Sequence, residues 1–182
     1  MKILAIETSC DETAAAVARA TANRIIIDSN IVASQIDIHQ VFGGVVPEVA
    51  AREHVKQILA VIVQALLATG LKPSRASQEL DGLAVTVGPG LMTSLLVGVE
   101  TAKALALAWQ LPLIPINHIV GHISANFINH NLNSIKFPLL TLTASGGHTN
   151  LLLMRNPVHY QMVGQTLDDA AGEALDKAAN LL

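Results

Sequence analysis

The sequence has a single cysteine, Cys10, so no internal disulfide can form, and a reducing, cytoplasmic setting is the simplest expectation. Aromatic residues make up only 3% of the chain and charged residues 14%. Scarce aromatics remove the stacking platforms on which single-stranded nucleic acids are commonly held. A net charge of −3, from 11 basic and 14 acidic residues, leaves no basic footprint able to hold a polyanion unaided. A nucleic-acid partner would need a local patch, or surface supplied from elsewhere. The longest apolar-rich stretch, Ile58 to Ala68, is interrupted by Gln64 and falls short of the ~20 residues that cross a bilayer, so no membrane association is expected. Nor does the N-terminus read as a signal peptide, because Met1 to Ile6 is short and is followed by Glu7, Asp11 and Glu12.

The sequence is instead rich in small and aliphatic residues. Apolar residues make up 51% of its 182 positions and the mean hydropathy is +0.47, enough buried surface to offset the ordering entropy that keeps polar chains unfolded. The length fits one domain or a tight pair. Lys2 to Glu7 reads as a buried strand, Thr8 to Thr13 as a polar turn and Ala14 to Arg19 as a second strand, a hairpin followed by a third strand over Arg24 to Ser34. Beyond a loop at Gly43-Gly44, Pro47 can open a helix. From Glu48 to Thr69 apolar residues recur at three- and four-residue spacing, with Gly70 placed as a C-cap. Leu83 to Val87 reads as a strand, Leu91 to Trp109 as a helix, Leu113 to Asn117 as a strand and His118 to His130 as a helix. Strands alternating with helices imply a parallel sheet, here opening with antiparallel strands: an α/β protein.

Sliding the sequence by 136 positions sets Ile3–Arg19 against Leu139–Arg155, with identities at Leu4/Leu140, Ser9/Ser145, Thr13/Thr149 and Arg19/Arg155. Each copy is an apolar strand, a small polar turn and an apolar strand. Two hairpins can converge by chance. Duplication is the other explanation, and it makes residues 1–134 a first lobe and 135–182 the beginning of a second, so the sequence reads as part of a longer two-lobed protein. An incomplete second lobe would expose apolar surface, and self-association is expected on that ground.

Three segments carry chemistry-bearing residues. His118-Ile-Val-Gly-His122 puts two imidazoles four residues apart on a helix, where both can face one metal ion; capping and ordinary hydrogen bonding would equally account for two histidines at a helix start. A zinc-protease reading fails, because Ile119 stands where HExxH needs its glutamate. Ser145-Gly-Gly-His-Thr149 offers backbone amides to phosphate or carboxylate oxygens, although Gly-Gly is also common in plain hairpin turns. Ser9-Cys-Asp-Glu-Thr13 adds two carboxylates, and two such turns facing across a cleft would clamp a nucleotide. Gly88-Pro-Gly90 is not a dinucleotide fingerprint, since Thr93 occupies the third glycine position. Asp168, Asp169, Glu173, Asp176 and Lys177 fit helix-dipole and i,i+4 pairing on a last amphipathic helix. His39, His54, His130 and His159 have no evident partners and read as surface or core polar residues.

Taken in order, Ile6-Glu-Thr-Ser-Cys-Asp-Glu-Thr13, Gly43-Gly-Val-Val-Pro-Glu48, Gly88-Pro-Gly-Leu91, Asn117-His-Ile-Val-Gly-His122, Ser145-Gly-Gly-His-Thr149 and Asp168-Asp-Ala-Ala-Gly-Glu-Ala-Leu-Asp-Lys177 resemble the bacterial and organellar tRNA N6-adenosine threonylcarbamoyltransferase family, TsaD. The resemblance implies an actin-like (ASKHA, sugar-kinase-like) duplicated ATPase fold. It implies transfer of a threonylcarbamoyl group from threonylcarbamoyl-adenylate, an ATP-type nucleotide substrate, to N6 of the adenosine beside the anticodon in tRNAs reading codons that begin with A. It also implies one divalent metal ion, iron or zinc, on His118 and His122, and adenylate contacts from Thr143, Ala144, Ser145, Gly146 and Gly147 and from Asp176, the last through ribose hydroxyls. TsaB-like and TsaE-like proteins are the implied partners. The family's third metal ligand, an aspartate, has no match in this sequence, and Val120 stands where the family usually has an acidic residue. Asp11 and Glu12 are the candidates for moving the amine proton. Two other readings remain: an inactive TsaB-type paralogue that pairs with a full-length transferase, which would not need the histidine pair, and another actin-like ATPase or kinase, which would leave the pair unexplained.

Overall fold

The computed structural model describes residues 1–179 and 181; Asn180 and Leu182, at the end of the anticipated last helix, lie outside the described residues. The chain divides into two compact units, 1–130 and 131–182.

The first unit is built on strands β1 (Lys2–Glu7), β2 (Glu12–Ala20), β3 (Ile25–Ser34), β4 (Gly82–Gly88) and β5 (Leu113–Asn117), in the order β3-β2-β1-β4-β5. The β1–β2 and β2–β3 pairings are antiparallel, and the β1–β4 and β4–β5 pairings are parallel. Alternation sets the buried face. Leu4 and Ile6 of β1 and Thr13, Ala15 and Val17 of β2 are buried, as a period of two requires when one face meets the core. Helices α2 (Pro47–Ala68) and α4 (Met92–Trp109) contribute Ile58, Ile62, Leu66 and Ala102 to the same core. Where the β2–β3 register shifts between Val17 and Ala18, Ser29 Oγ accepts from the Val17 amide (3.2 Å) and donates to the Ala65 carbonyl of α2 (2.7 Å). The bulge is thus satisfied and tied to the helix above it.

The apolar run of α2 splits into two faces. Ile58, Ile62 and Leu66 point inward, whereas Val55, Leu59, Val63 and Leu67 are exposed. Gly70, at φ +79°, closes the helix as expected: its amide reaches the Leu67 carbonyl (2.9 Å) and that of Leu71 the Leu66 carbonyl (3.1 Å), a Schellman pattern. By length and apolarity alone, α4 would suffice to cross a membrane, so its 18 residues, and not Ile58 to Ala68, are the longest apolar-rich stretch. It buries Ser94, Gly98, Ala102 and Ala106 and carries a Glu100–Lys103 ion pair (2.7 Å). Three short helices complete the unit: α1 (Ile36–Gln40), α3 (Ala76–Glu79) and α5 (His118–Ala125). α5 stops five residues short of the expected His130. Asn126 Nδ2 donates to the carbonyls of His122 (3.3 Å) and Ile123 (3.1 Å), terminating the helix, and the Asn129 amide pairs with the Ile25 carbonyl (2.9 Å).

The second unit has strands β6 (Leu139–Ala144), β7 (Thr149–Asn156) and β8 (His159–Gln165) in sequential antiparallel order, followed by α6 (Ala171–Ala179). Its register carries the internal repeat: Ile3 pairs with Ala18 and Leu139 with Met154, while Glu7 pairs with Ala14 and Thr143 with Asn150. Both pairs in each hairpin are related by the offset of 136 seen in the sequence. Asp168 and Asp169 precede α6 rather than lying on it.

Candidate active site

β1 ends at Glu7, and the chain turns through Thr8–Asp11 before β2. Two close approaches lock this turn against α4. Thr8 Oγ1 donates to the Ser94 carbonyl (2.8 Å), and a Cβ on Gly98 would lie 2.4 Å from Thr8 Oγ1. The Leu91 amide donates to the Ser9 carbonyl (2.8 Å), and a Cβ on Gly90 would lie 2.6 Å from the Ser9 oxygen. Gly90 therefore permits the strand-to-helix connection to press on the turn.

β5 delivers the histidines to the same place. Asn117 caps α5, its Oδ1 accepting from the amides of Ile119 (2.9 Å) and Val120 (3.2 Å). Ile119 and Ile123 bury the inner face of α5, leaving His118 and His122 one turn apart on the outer side. Their Nε2 atoms stand 3.0 Å apart, with the rings perpendicular. His118 is held from behind: Nδ1 is 3.0 Å from Ser9 Oγ and 3.7 Å from Glu7 Oε2.

Glu7 Oε1 accepts from the Ser9 amide at 2.5 Å, and Oε2 accepts a short hydrogen bond from Thr86 Oγ1. Burial is the largest single influence on this carboxyl and pushes its pKa up. The hydrogen bonds from His118, Ser9 and Thr86 together outweigh it and hold the value at about 2, so Glu7 is ionised at any physiological pH. Beside it lies a cleft of about 240 Å³ walled by small residues, among them Ala5, Ala14, Ala16 and Gly121. Desolvation, a hydrogen bond from the thiol to the Asp11 carboxylate and the charges of Asp11 and Glu12 push the Cys10 thiol up to about 12. Burial, Asp11 and Glu7 raise the pKa of Glu12.

Among the described residues no three or more His, Cys, Asp and Glu side chains cluster as a complete metal site. The histidine pair nonetheless fits part of one. Two imidazole nitrogens bound ~2.0–2.1 Å from a tetrahedral ion stand ~3.3 Å apart, close to the 3.0 Å here. The Glu7 carboxylate and Ser9 hydroxyl lie behind His118, where the outer partners of a ligating ring would stand.

In the second unit, Thr143 and Ala144 end β6 and lead into a turn closed by the Ser145 amide on the His148 carbonyl (2.8 Å) and the His148 amide on Ser145 Oγ (3.1 Å). Gly146 and Gly147 are exposed, with nothing within 4 Å of where a Cβ would stand. The start of α6 abuts this turn: the Gly172 amide donates to the Ser145 carbonyl (3.1 Å), and the Ala171 amide to Thr149 Oγ1 (2.8 Å). A Cβ on Gly172 would meet the Gly146 nitrogen at 2.7 Å. Asp176 is exposed on α6, and Lys177 bridges Asp169 (2.7 Å) and Glu173 (3.1 Å).

The structure thus brings His118 and His122 together, adds Glu7 and Ser9 behind them, and keeps Asp11 at the end of the adjoining turn and Glu12 at the start of β2. His39 and His54, read from sequence as unpartnered, are buried in a hydrogen-bonded chain beneath that turn. Their partners lie up to 44 residues away, and only the tertiary fold reveals them. His159 is exposed and pairs with Asn156 (3.0 Å), and His130 is exposed beyond α5.

An antiparallel hairpin feeding a parallel sheet, with the same hairpin reopening a second unit, defines an actin-like α/β fold. YeaZ from Pseudomonas aeruginosa shares it at TM-score 0.53 and 16% identity over 91% of this chain and 66% of that one. A second Pseudomonas aeruginosa structure, described as similar to peptidase YEAZ, aligns at TM-score 0.54 and 16% identity over 91% and 65%. The sequence model of TsaD, tRNA N6-adenosine threonylcarbamoyltransferase, matches residues 26–182, and the chain belongs to that family. Relatives bearing that enzyme's name are 54% identical in Thermomicrobium roseum (100% of this chain, 49% of the relative), 56% in Syntrophomonas wolfei (99% and 50%) and 50% in Bacillus subtilis (100% and 50%). The chain spans about half the length of these relatives.

Proposed function

We propose that this chain carries the first lobe, residues 1–134, and the beginning of the second, 135–182, of a transferase that moves a threonylcarbamoyl group from threonylcarbamoyl-adenylate to N6 of the adenosine beside the anticodon, in tRNAs reading codons that begin with A. Family membership supports the reaction class. The paired imidazoles, Nε2 to Nε2 3.0 Å, carry the reading of the site, because an accessory paralogue that only pairs with a transferase has no use for them.

The donor is a mixed anhydride and already activated, so the task left to the protein is to set its carbamoyl carbon against a weakly nucleophilic amine. His118 and His122 would hold one divalent ion, iron or zinc, since imidazole suits both; when bound it supplies charge that polarises the carbonyl. The exposed Gly146 and Gly147, with Thr143, Ala144 and Ser145, bind the adenylate, and Asp176 binds the ribose hydroxyls. Cys10 is not a nucleophile, as its thiol stays protonated with a pKa near 12. Loss of the N6 proton is assigned to the Asp11–Glu12 pair, where burial and Asp11 raise the proton affinity of Glu12. Glu12→Ala and Asp11→Ala variants that transfer at full rate would remove that assignment.

A negative chain binding tRNA in the cytoplasm needs help, and TsaB-like and TsaE-like proteins are the partners in this reading. The outward stripe of Val55, Leu59 and Val63 on α2 suits pairing with a second actin-like protein or a second copy of this chain. To test the function, the 182-residue chain is given tRNA, threonylcarbamoyl-adenylate and a divalent metal, and the tRNA is digested to nucleosides and weighed. With two ligands clustered rather than three, modification should fall far below that of the Bacillus subtilis relative and vanish in His118→Ala/His122→Ala. Robust modification by that double variant would overturn the reading.

A further inference from the structure

Beneath the Thr8–Asp11 turn lies a buried polar chain that the transfer chemistry leaves unused. Thr13, Gln35, His39 and His54 are all at most 3% exposed. The Val46 amide donates to His39 Nδ1 (3.3 Å), so His39 carries its proton on Nε2 and donates to Gln35 Oε1 (3.0 Å). Gln35 Nε2 lies 3.5 Å from His54 Nδ1, which also accepts from Thr13 Oγ1 (2.8 Å). His54 Nε2 therefore bears the ring proton and donates to the carbonyl of Cys10 (3.0 Å). Each donor faces an acceptor, and the tautomers of both histidines follow from the backbone groups they meet.

The last bond of this chain ends one residue from Ser9, whose Oγ lies against His118 Nδ1. We propose that His54 is a positioning residue: by holding the Cys10 carbonyl it fixes the turn that carries Ser9, and through Ser9 it fixes the ring of His118 toward His122. The inference deepens the functional reading above and rests on it for the metal, though not for the geometry. A buried donor supplied by α2 costs nothing to hold once paired, whereas an orphaned carbonyl in the same place would pull the turn toward water.

Two substitutions separate positioning from mere folding. His54→Gln places an amide N–H near the Nε2 position and can keep the Cys10 bond. His54→Asn keeps an amide opposite Thr13 but cannot reach Cys10. Long-range 1H–15N spectra of the histidine rings in the metal-free chain read the His118 environment directly, and a cobalt(II) titration reads the paired site. His54→Asn should shift the His118 ring nitrogens and weaken cobalt binding about ten-fold, in the lower range for losing an outer partner, while His54→Gln restores both to near the wild-type values. Unchanged His118 signals in a folded His54→Asn chain would overturn the positioning role. If the wild-type chain binds no cobalt, the metal reading of the histidine pair fails by itself, and the His118 spectra still decide the role of His54.

Discussion

His118 is held by a carboxylate that stays charged and by a serine whose backbone is closely packed. Glu7 remains ionised because three hydrogen-bonding partners, His118, Ser9 and Thr86, overcome the cost of its burial. The Ser9 carbonyl accepts from the Leu91 amide (2.8 Å), an approach that the absent side chain of Gly90 permits. Two outcomes follow. His118→Ala and His122→Ala should each lower divalent-metal affinity by more than the ~10–100-fold typical of an outer partner, as calorimetric titration will show. Gly90→Ala must push Ser9 aside, since the new methyl would stand 2.6 Å from a backbone oxygen; overpacking of this kind costs about 1–3 kcal/mol, measurable by urea unfolding, and should weaken metal binding as well. The histidine pair was legible in the sequence because both members sit on one helix, four residues apart. Glu7 and Ser9 were not, being 111 and 109 residues from His118 and joined to it only by a carboxylate contact and a hydrogen bond in the folded chain. The reason for the second glycine of Gly88-Pro-Gly90 lies in the neighbouring turn, where a Cβ would meet Ser9.

Helix ends were harder to read than helix bodies. Gly70 announced the end of α2 because glycine takes the left-handed cap without strain. α4 ends the same way on Gln110, at φ 55°, with the Leu111 amide on the Ala106 carbonyl (3.0 Å), and a glutamine gives no such signal. Gln110→Gly should therefore stabilise the chain by about 0.5–1 kcal/mol, the left-handed strain relieved less the added backbone entropy of glycine; the urea midpoint should rise with the slope unchanged. α5 was expected to reach His130, yet the side chain of Asn126 takes the last carbonyls first. α2 also carries a pH dependence. Burial, opposed by the Cys10 carbonyl bond and the charges of Glu7 and Asp11, lowers the pKa of His54 below its ordinary 6.5. As pH falls, the unfolded chain takes up this proton before the folded one does. The contribution is thus complete above about pH 6.5 and is lost below it. Urea midpoints should fall between about pH 7 and pH 5, and fall less in His54→Gln.

At the scale of the whole molecule, the offset of 136 that joins Ser9 to Ser145 in the sequence reappears in the strand register of both hairpins. The α/β class and the antiparallel opening were legible from alternation and from helix-period spacing, because those patterns record which face meets the core. The split of α2 into inward and outward apolar stripes was not, since hydrophobic spacing does not say which stripe is covered. The net charge of −3 offers no basic surface of the kind that holds a polyanion, and the chain spans about half the length of its relatives. The central claim, that these residues supply the metal pair of a threonylcarbamoyltransferase, is tested most directly by replacing the corresponding half of the Bacillus subtilis relative, 50% identical, with these 182 residues and weighing the nucleosides of tRNA treated with the hybrid. The account predicts threonylcarbamoyladenosine from the hybrid and none once His118 and His122 are both alanine. A folded hybrid that makes none, or one that makes as much without the two histidines, would contradict it.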